Sequence, residues 1–323
     1  MAMEYQHITD KGVLGKIYAA LEQDTQMGLI SSLGLKTTST SASEKYAWLG
    51  QVPVMREWLG PRIIKKLSEQ SYTLVNKKYE ATLGVQQDDL DRDKVNQLNA
   101  RISEFAQRAN SHWIKLMSDL MITNGTCYDG QNFFDTDHSE GDSGTQKNSI
   151  AKADYAALDF TTTGKPTALE MATAILSVVG HMYTLKDDQG EPINETAKKF
   201  LVVCPTVEYW RASISAVRDQ NLQTSGGASV TNPLAANGDL SVSVDLNIRL
   251  NQTSYTQYFY VYRTDAPVKP FILQEESGGV KQQTLDQNSD HYFFNDEKLY
   301  GLKAKRAAGY GLWQYAIRAD GTT

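Results

Sequence analysis

The most regular hydrophobic pattern in the chain lies between Asp88 and Gly125. Leu98, Ile102, Phe105, Ala109, Trp113, Leu116, Leu120 and Met121 recur mostly in steps of three and four. That spacing predicts an amphipathic α-helix with one apolar stripe, built to hold a sheet or core along its whole length. Asp88, Asp89, Asp91 and Asp93 stand at the end where the helix dipole is positive. Glu104 and Arg108 make an i,i+4 pair in the favourable order, and Asn124-Gly125 offers a left-handed stop. At 1.5 Å per residue the helix would be about 50 Å long, which suits the spine of an extended subunit. Its charges exclude a membrane span, which needs ~20 mostly apolar residues in a row. Its heptads are too few for a coiled coil.

Upstream, Val13, Leu14, Ile17 and Leu21 could share one face of a short helix. Lys36 to Ser43 is a polar tract with little to pack. Residues 1–45 therefore read as an arm, either loose or ordered on a neighbouring subunit. Tyr46 to Gly60 is dense in large apolar groups. Ile63 to Leu67 and Ser71 to Val85 then read as two strands joined by a turn at Ser68 to Ser71. In the second strand Thr73, Val75, Lys77, Tyr79, Ala81, Leu83 and Val85 share a face, and Asn76, Lys78, Glu80 and Thr82 the other. A two-stranded hairpin is marginal in water, so this one needs something to lie on.

Downstream, Thr167 and Glu170 form a capping box ahead of a helix that reaches Tyr183. Phe200 to Cys204 is a continuous apolar run suited to a buried strand, and Pro205 opens a helix to about Val217. Asp219 to Asp239 reads as a mobile loop. Ser241 to Leu250 alternates as a half-buried strand. Further strands are expected at Tyr255–Arg263, Pro270–Gln274, His291–Phe294, Leu299–Arg306 and Leu312–Arg318. The fold class is α+β, without βαβ repetition or internal repeats.

Composition narrows the function. The 323 residues include 41% hydrophobic ones, enough for a real core. A net charge of −6 argues against a dedicated nucleic-acid binder. Two distant cysteines, Cys127 and Cys204, give no disulfide framework or zinc pattern and suit a reducing compartment. The N-terminus has no signal-peptide core, so a soluble protein made in the cytoplasm is expected.

Catalytic patterns are missing: no phosphate-binding Gly-rich loop, no Gly-x-Ser-x-Gly, no His-Glu-x-x-His. Asp135, Asp137 and His138 are closely spaced potential ligands, though a polar loop accounts for them more simply. Cys204 at the end of an apolar strand reads as a small hydrophobe. His112 and His181 read as packed helix residues. Lys303, Lys305 and Arg306 read as a solvated strand edge.

The blocks Tyr46-Ala-Trp-Leu-Gly50, Pro53, Arg56-Glu-Trp-Leu-Gly60, Tyr72 to Glu80 and Asp88-Asp89 resemble those of the major head subunit of Mu-like phages. So does Cys127-Tyr-Asp-Gly-Gln-Asn-Phe-Phe-Asp135 with His138 following. The resemblance covers roughly residues 46–138. It implies an HK97-type capsid fold and a non-enzymatic role as major capsid protein of an icosahedral shell around double-stranded DNA. The expected layout is an N-terminal arm (1–45) and a peripheral domain (46–164) that holds an extended hairpin, the E-loop (about 61–86), and a spine helix (about 88–124). An axial domain (165–275) and strands returning to the peripheral domain (276–323) complete it. Lys65, Lys66, Tyr72, Lys77 and Lys78 become candidate interface residues. The expected partners are further copies in pentamers and hexamers, scaffold and protease, a portal and a decoration protein. Packaged DNA would be touched weakly and non-specifically, and no membrane is involved. The expected location is the virion capsid. No cofactor or metal is expected, and no residue pair points to a covalent cross-link. Alternatives are a cellular nanocompartment shell of the same fold, and a metal enzyme using Asp135, Asp137 and His138.

Overall fold

A computed structural model describes residues 28–46, 72–91 and 95–321, apart from 225, 237 and 253, together with residues 15, 17 and 19. For residues 90, 91 and 95–99 it describes the backbone alone. Helix α1 (Gly28–Leu33) leads into strands β1 (Gly34–Ser39) and β2 (Ser43–Tyr46). Strands β3 (Tyr72–Val75) and β4 (Lys77–Gln86), helix α2 (Gln87–Asp91) and the 29-residue helix α3 (Val95–Thr123) come next. Short strands β5 (His138–Ser139), β6 (Thr145–Gln146) and β7 (Ser149–Ile150) punctuate the following loop. Then come α4 (Ala168–Thr184), β8 (Lys199–Cys204), α5 (Val207–Arg218), β9 (Asn221–Gln223), β10 (Ser229–Thr231) and α6 (Pro233–Ala236). The chain continues through β11 (Ser241–Leu246), β12 (Tyr258–Arg263), β13 (Phe271–Glu276) and β14 (Lys281–Leu285). It ends with α7 (Asp290–Asn295), β15 (Glu297–Tyr310) and β16 (Ala316–Asp320).

Two five-stranded sheets organise these elements. One has the order β1–β13–β15–β14, with β4 along the other side of β15. The other has the order β11–β8–β12–β16–β7. Helix α3 packs on β15 of the first sheet, while α4 and α5 pack together beside the second. One buried cluster runs through both sheets, and a smaller one joins Ile17, Val85, Ile102, Tyr300 and Leu302.

Several expectations change. Residues 34–39 are not part of a free arm: β1 lies parallel on β13, with Gly34 opposite Phe271 and Ser39 opposite Glu276. A backbone ladder ignores side-chain polarity, so a tract poor in apolar groups can still enter a sheet. Its hydroxyls find partners there: Thr37 Oγ1 lies 2.9 Å from the Tyr46 hydroxyl, which donates to Gln274 Oε1 at 2.6 Å. Strand β3 pairs with β2, and β4 pairs with β15 from Lys77–Arg306 to Gln86–Glu297. The expected partner strand at Ile63–Leu67 lies outside the described residues. The alternation holds along β4, where Val85 is buried and Tyr79 and Leu83 half-buried, but reverses before Asn76. There Leu74 is buried and Val75 is 59% exposed.

The segment His291–Phe294 is helical. Ser289 caps it by accepting from Tyr292 N–H, and Asp296 ends it at φ 50°. A short apolar run between capping residues cannot be told from a strand by periodicity alone. Residues 219–239 form the β9–β10 hairpin and α6, held by buried Asn232. Its amide donates to the carbonyls of Ala216 and Asp219, at 2.7 Å each. The 165–275 and 276–323 boundaries also shift: β13 belongs to the first sheet, and β16 joins the second beside β12 and β7. One βαβ crossover exists, because β8 and β11 are parallel neighbours with α5 between them in sequence.

The stripe on α3 is centred one step away from the expected positions. Ile102, Ala106, Met117 and Met121 are fully buried and Trp113 is 8% exposed. Phe105, Ala109, Leu116 and Leu120 are half-buried flanks, and the Leu98 side chain lies outside the described residues. Met117→Ala should therefore cost about 2–5 kcal/mol, and Leu116→Ala distinctly less. Paired urea titrations check this, and equal losses would place the stripe elsewhere.

Candidate functional site

The spine helix ends where the two sheets meet. Asn124 takes φ 46°, and its side chain accepts from Phe134 N–H at 2.7 Å and donates to Phe134 O at 3.0 Å. The Tyr310 hydroxyl accepts from Gly125 N–H at 2.6 Å and donates to Leu120 O at 2.9 Å, a carbonyl that also accepts from Asn124 N–H, so it bridges the helix end and the following loop. This clamp aims Phe133 and Phe134 into the core. Phe133 stacks on Tyr310 at 4.8 Å and lies 5.3 Å from Phe271, both in the first sheet. Phe134 lies 5.3 Å from Tyr260 in the second.

Beneath this joint sits a buried polar hub. His138 is fully buried, with Nδ1 2.5 Å from Asp129 Oδ2 and Nε2 3.2 Å from Asn148 Oδ1. Its ring stacks on Trp313 at 3.9 Å. Asn148 donates to Phe133 O at 2.7 Å and accepts from Asp135 N–H at 2.8 Å. Both ring nitrogens of His138 thus face protein acceptors. Asp135 caps its own loop through Asn132 and Thr136 N–H, and Asp137 is exposed. The described residues contain no group of three or more ligands that could hold a metal. Asp137 meets the Asp135 side chain, whereas the His138 ring turns inward to Asp129 and Asn148, so the three do not gather as one ligand set.

Cys204, the two helix histidines and the basic cluster near the C-terminus are structural. Burial pushes the Cys204 thiol up to about 12, which keeps it from being a thiolate. His181 donates from Nε2 to Lys147 O at 2.8 Å and accepts from the Tyr155 hydroxyl at 3.0 Å, with burial holding it below its ordinary value. Burial pulls His112 down to about 4, and the Arg306 charge adds to the effect. Lys303, Lys305 and Arg306 do not form a solvated edge, since β15 has neighbours on both sides. Arg306 is buried over the Trp113 ring at 4.6 Å, pairs with Glu275 at 2.7 Å and donates to Ala109 O at 3.2 Å. Lys305 pairs with Glu276 at 2.6 Å.

Of the interface candidates, Lys65 and Lys66 lie outside the described residues. Tyr72 is half-buried in its own subunit, where its hydroxyl accepts from Tyr310 N–H at 3.3 Å. Lys77 and Lys78 are exposed at the start of β4, opposite Arg306 and Lys305. The other edge of β4 pairs with no strand among the described residues. Sequence reasoning missed Asp129, Asn148, Trp313 and Tyr310, which act across separations of up to 190 residues.

This geometry can be set beside known proteins. The model of the family described as "Mu-like prophage major head subunit gpT" matches residues 19–169 and 237–322.

The chain belongs to that family.

It is 24% identical over 294 residues to the "Major capsid protein" of Escherichia phage Mu, covering 90% of this chain and 66% of that protein. It is 37% identical over 285 residues to the "Mu-like prophage FluMu major head subunit" of Haemophilus influenzae, covering 88% of this chain and 63% of that protein. The chain thus spans a little under two thirds of the length of these relatives. The structure of the procapsid of bacteriophage JBD30 superposes with a TM-score of 0.52 at 23% identity, covering 95% of this chain and 72% of that one. That likeness shows the fold, which is the α+β HK97-type capsid fold.

Two outcomes follow from the buried groups. His138→Ala should cost about 3–5 kcal/mol by leaving Asp129 buried and unpaired, measured by urea unfolding. An unchanged midpoint would remove the hub from the core. Both shifted histidines have folded values below the unfolded one, about 6.5. Their contribution to stability is therefore complete above that pH and is lost as pH falls below it, for His112 as pH falls toward about 4. His112→Gln should flatten that fall, read from melting temperatures between about pH 7 and about pH 4.5.

Proposed function

We propose that the protein is a structural subunit, a major capsid protein that assembles in pentamers and hexamers into an icosahedral shell around double-stranded phage DNA. The observation that carries this reading is the family match over the first sheet, the spine helix and four strands of the second sheet. A non-catalytic role agrees with the buried, internally bonded state of His138 and Cys204. The ten-residue strand β4 has an edge with free backbone groups among the described residues, suited to receiving a neighbour's strand. Lysines at its start both discourage unwanted pairing and offer charges to acids across an interface, each such bridge contributing about 0–1 kcal/mol. Summed over many copies, such contacts hold a shell while leaving each one reversible. A net charge of −6 suits a wall that encloses DNA without gripping it. Scaffold and protease, a portal and a decoration protein are the further partners this role implies.

Negative-stain microscopy of the purified protein should show capsomers or shells, and a strictly monomeric protein at high concentration would count against the reading. Lys77→Glu with Lys78→Glu, at exposed positions, should leave melting unchanged within about 0.5 kcal/mol while reducing particle yield. Full particle yield would remove both lysines from the interface.

A further inference from the structure

Two features of the surface have complementary shapes and lie too far apart to meet within one molecule. The first is a knob. Phe293 and Phe294 on α7 are 81% and 79% exposed, and no residue of that helix is buried. The two rings touch each other edge to face at 5.3 Å. Asp286 and Asp290 flank them at exposed positions. A large exposed aromatic pair on a capped helix is held out rigidly, and such patches mark contact sites.

The second is a cavity between α3 and the first sheet. It has a volume of about 210 Å³ and is lined by Phe105, Ala109, Val280, Leu302, Ala304 and Arg306 among others. A protein cavity of about 150 Å³ holds a benzene molecule, so this one accommodates a phenyl ring. The seam beside it is already filled: Ile17 packs among Ile102, Val85, Tyr300 and Leu302. The open stretch is its continuation. Arg306 is 3% exposed, yet its Nε has no acceptor among the described residues. Arg108 stands at the mouth, with only an exposed i,i−4 partner in Glu104. The cavity thus combines an apolar floor, a guanidinium N–H without an acceptor among the described residues, and a rim that carries Arg108 together with Glu80.

Knob and cavity lie at different positions along β15. Phe293 and Phe294 precede its first residue, Glu297, and the cavity is lined by its Leu302, Ala304 and Arg306. At about 3.3 Å per residue the strand holds them roughly 20 Å apart. A knob at one end of a rigid strand and a hole further along it cannot close on themselves. They form a head-to-tail contact between copies, which propagates into rings or lattices.

We propose that the Phe293–Phe294 knob of one copy docks on the α3–β15 cavity of a neighbouring copy, one of its two rings entering the cavity and the other covering its mouth. Asp290 then faces Arg108, and an acceptor of the docked turn meets Arg306 Nε. This deepens the shell reading given above, on which it rests, by naming one contact through which copies join.

The test uses the full chain with Asn295→Cys in one preparation and Gln107→Cys in another. Both positions are exposed, and Cys127 and Cys204 are buried. The two preparations, mixed and treated with a short bismaleimide, should give a covalent dimer that neither gives alone. Adding Phe293→Ala and Phe294→Ala to the Asn295→Cys chain should cut that yield at least tenfold. Arg108→Glu in the other chain should lower it, and Asp290→Lys in the knob chain should restore it. Unchanged melting curves show that each variant is folded. No cross-linked dimer, or a dimer indifferent to loss of the two phenylalanines, overturns the contact. Microscopy of the same samples separates the two readings. Particles without the cross-link refute this contact and leave the shell standing, whereas the cross-link without particles supports the contact and counts against the shell.

Discussion

The structure depends on one joint, the place where the spine helix stops and the chain turns into Phe133-Phe134. A helix end leaves several carbonyls and amides without partners, and burying them unpaired would cost more than the packing returns. Here the Tyr310 hydroxyl bridges Leu120 O and Gly125 N–H, and Asn124, in the left-handed region, ties the helix end to the backbone of Phe134. Because those partners come from the loop and from the last residue of β15, ending the helix also locks both sheets to it. Phe133 then packs into one sheet and Phe134 into the other. Adjacent residues that point to opposite sides are what a short extended segment provides.

The hub of Asp129, His138, Asn148 and Trp313 lies directly below and keeps that extended segment in place. Its polar groups are paired among themselves and with backbone, so the hub is tolerated in the protein interior and specifies one geometry. Arg306 plays a comparable part further along the spine, its charge shared between Glu275 and the Trp113 face. A subunit that bears load between neighbours gains from such directional contacts, since apolar packing alone permits small slips.

Outside this rigid centre, the molecule keeps its unfinished surfaces where copies could meet. The edge of β4 that has no partner strand among the described residues lies on one flank of the first sheet, and the aromatic tip of α7 and the cavity under α3 lie at different heights along β15. All three are attached to β15, the longest strand, which has neighbours on both sides. Force applied at any of them therefore reaches the spine through backbone hydrogen bonds.

The sequence by itself determined the local elements. Regular spacing announced helix α3 from Ile102 onward, the capping box of Thr167 and Glu170 set the start of α4, and the apolar run at Phe200–Cys204 became a central strand. Each is written in residues close enough to act on one another directly. The uncommon residues of the Cys127–Asp135 block also carried the family. What only the tertiary structure decided is pairing across distance. Polar β1 joined β13, β4 joined β15, and β16 entered the other sheet. Backbone ladders accept almost any side chain, so composition cannot say which strands will share one. The side chains of Asp135 and His138, close in sequence, likewise took different partners, Asp135 the N–H groups of Asn132 and Thr136 and His138 the side chains of Asp129 and Asn148, whereas Trp313 came to stack on His138 from a strand-flanking turn far along the chain.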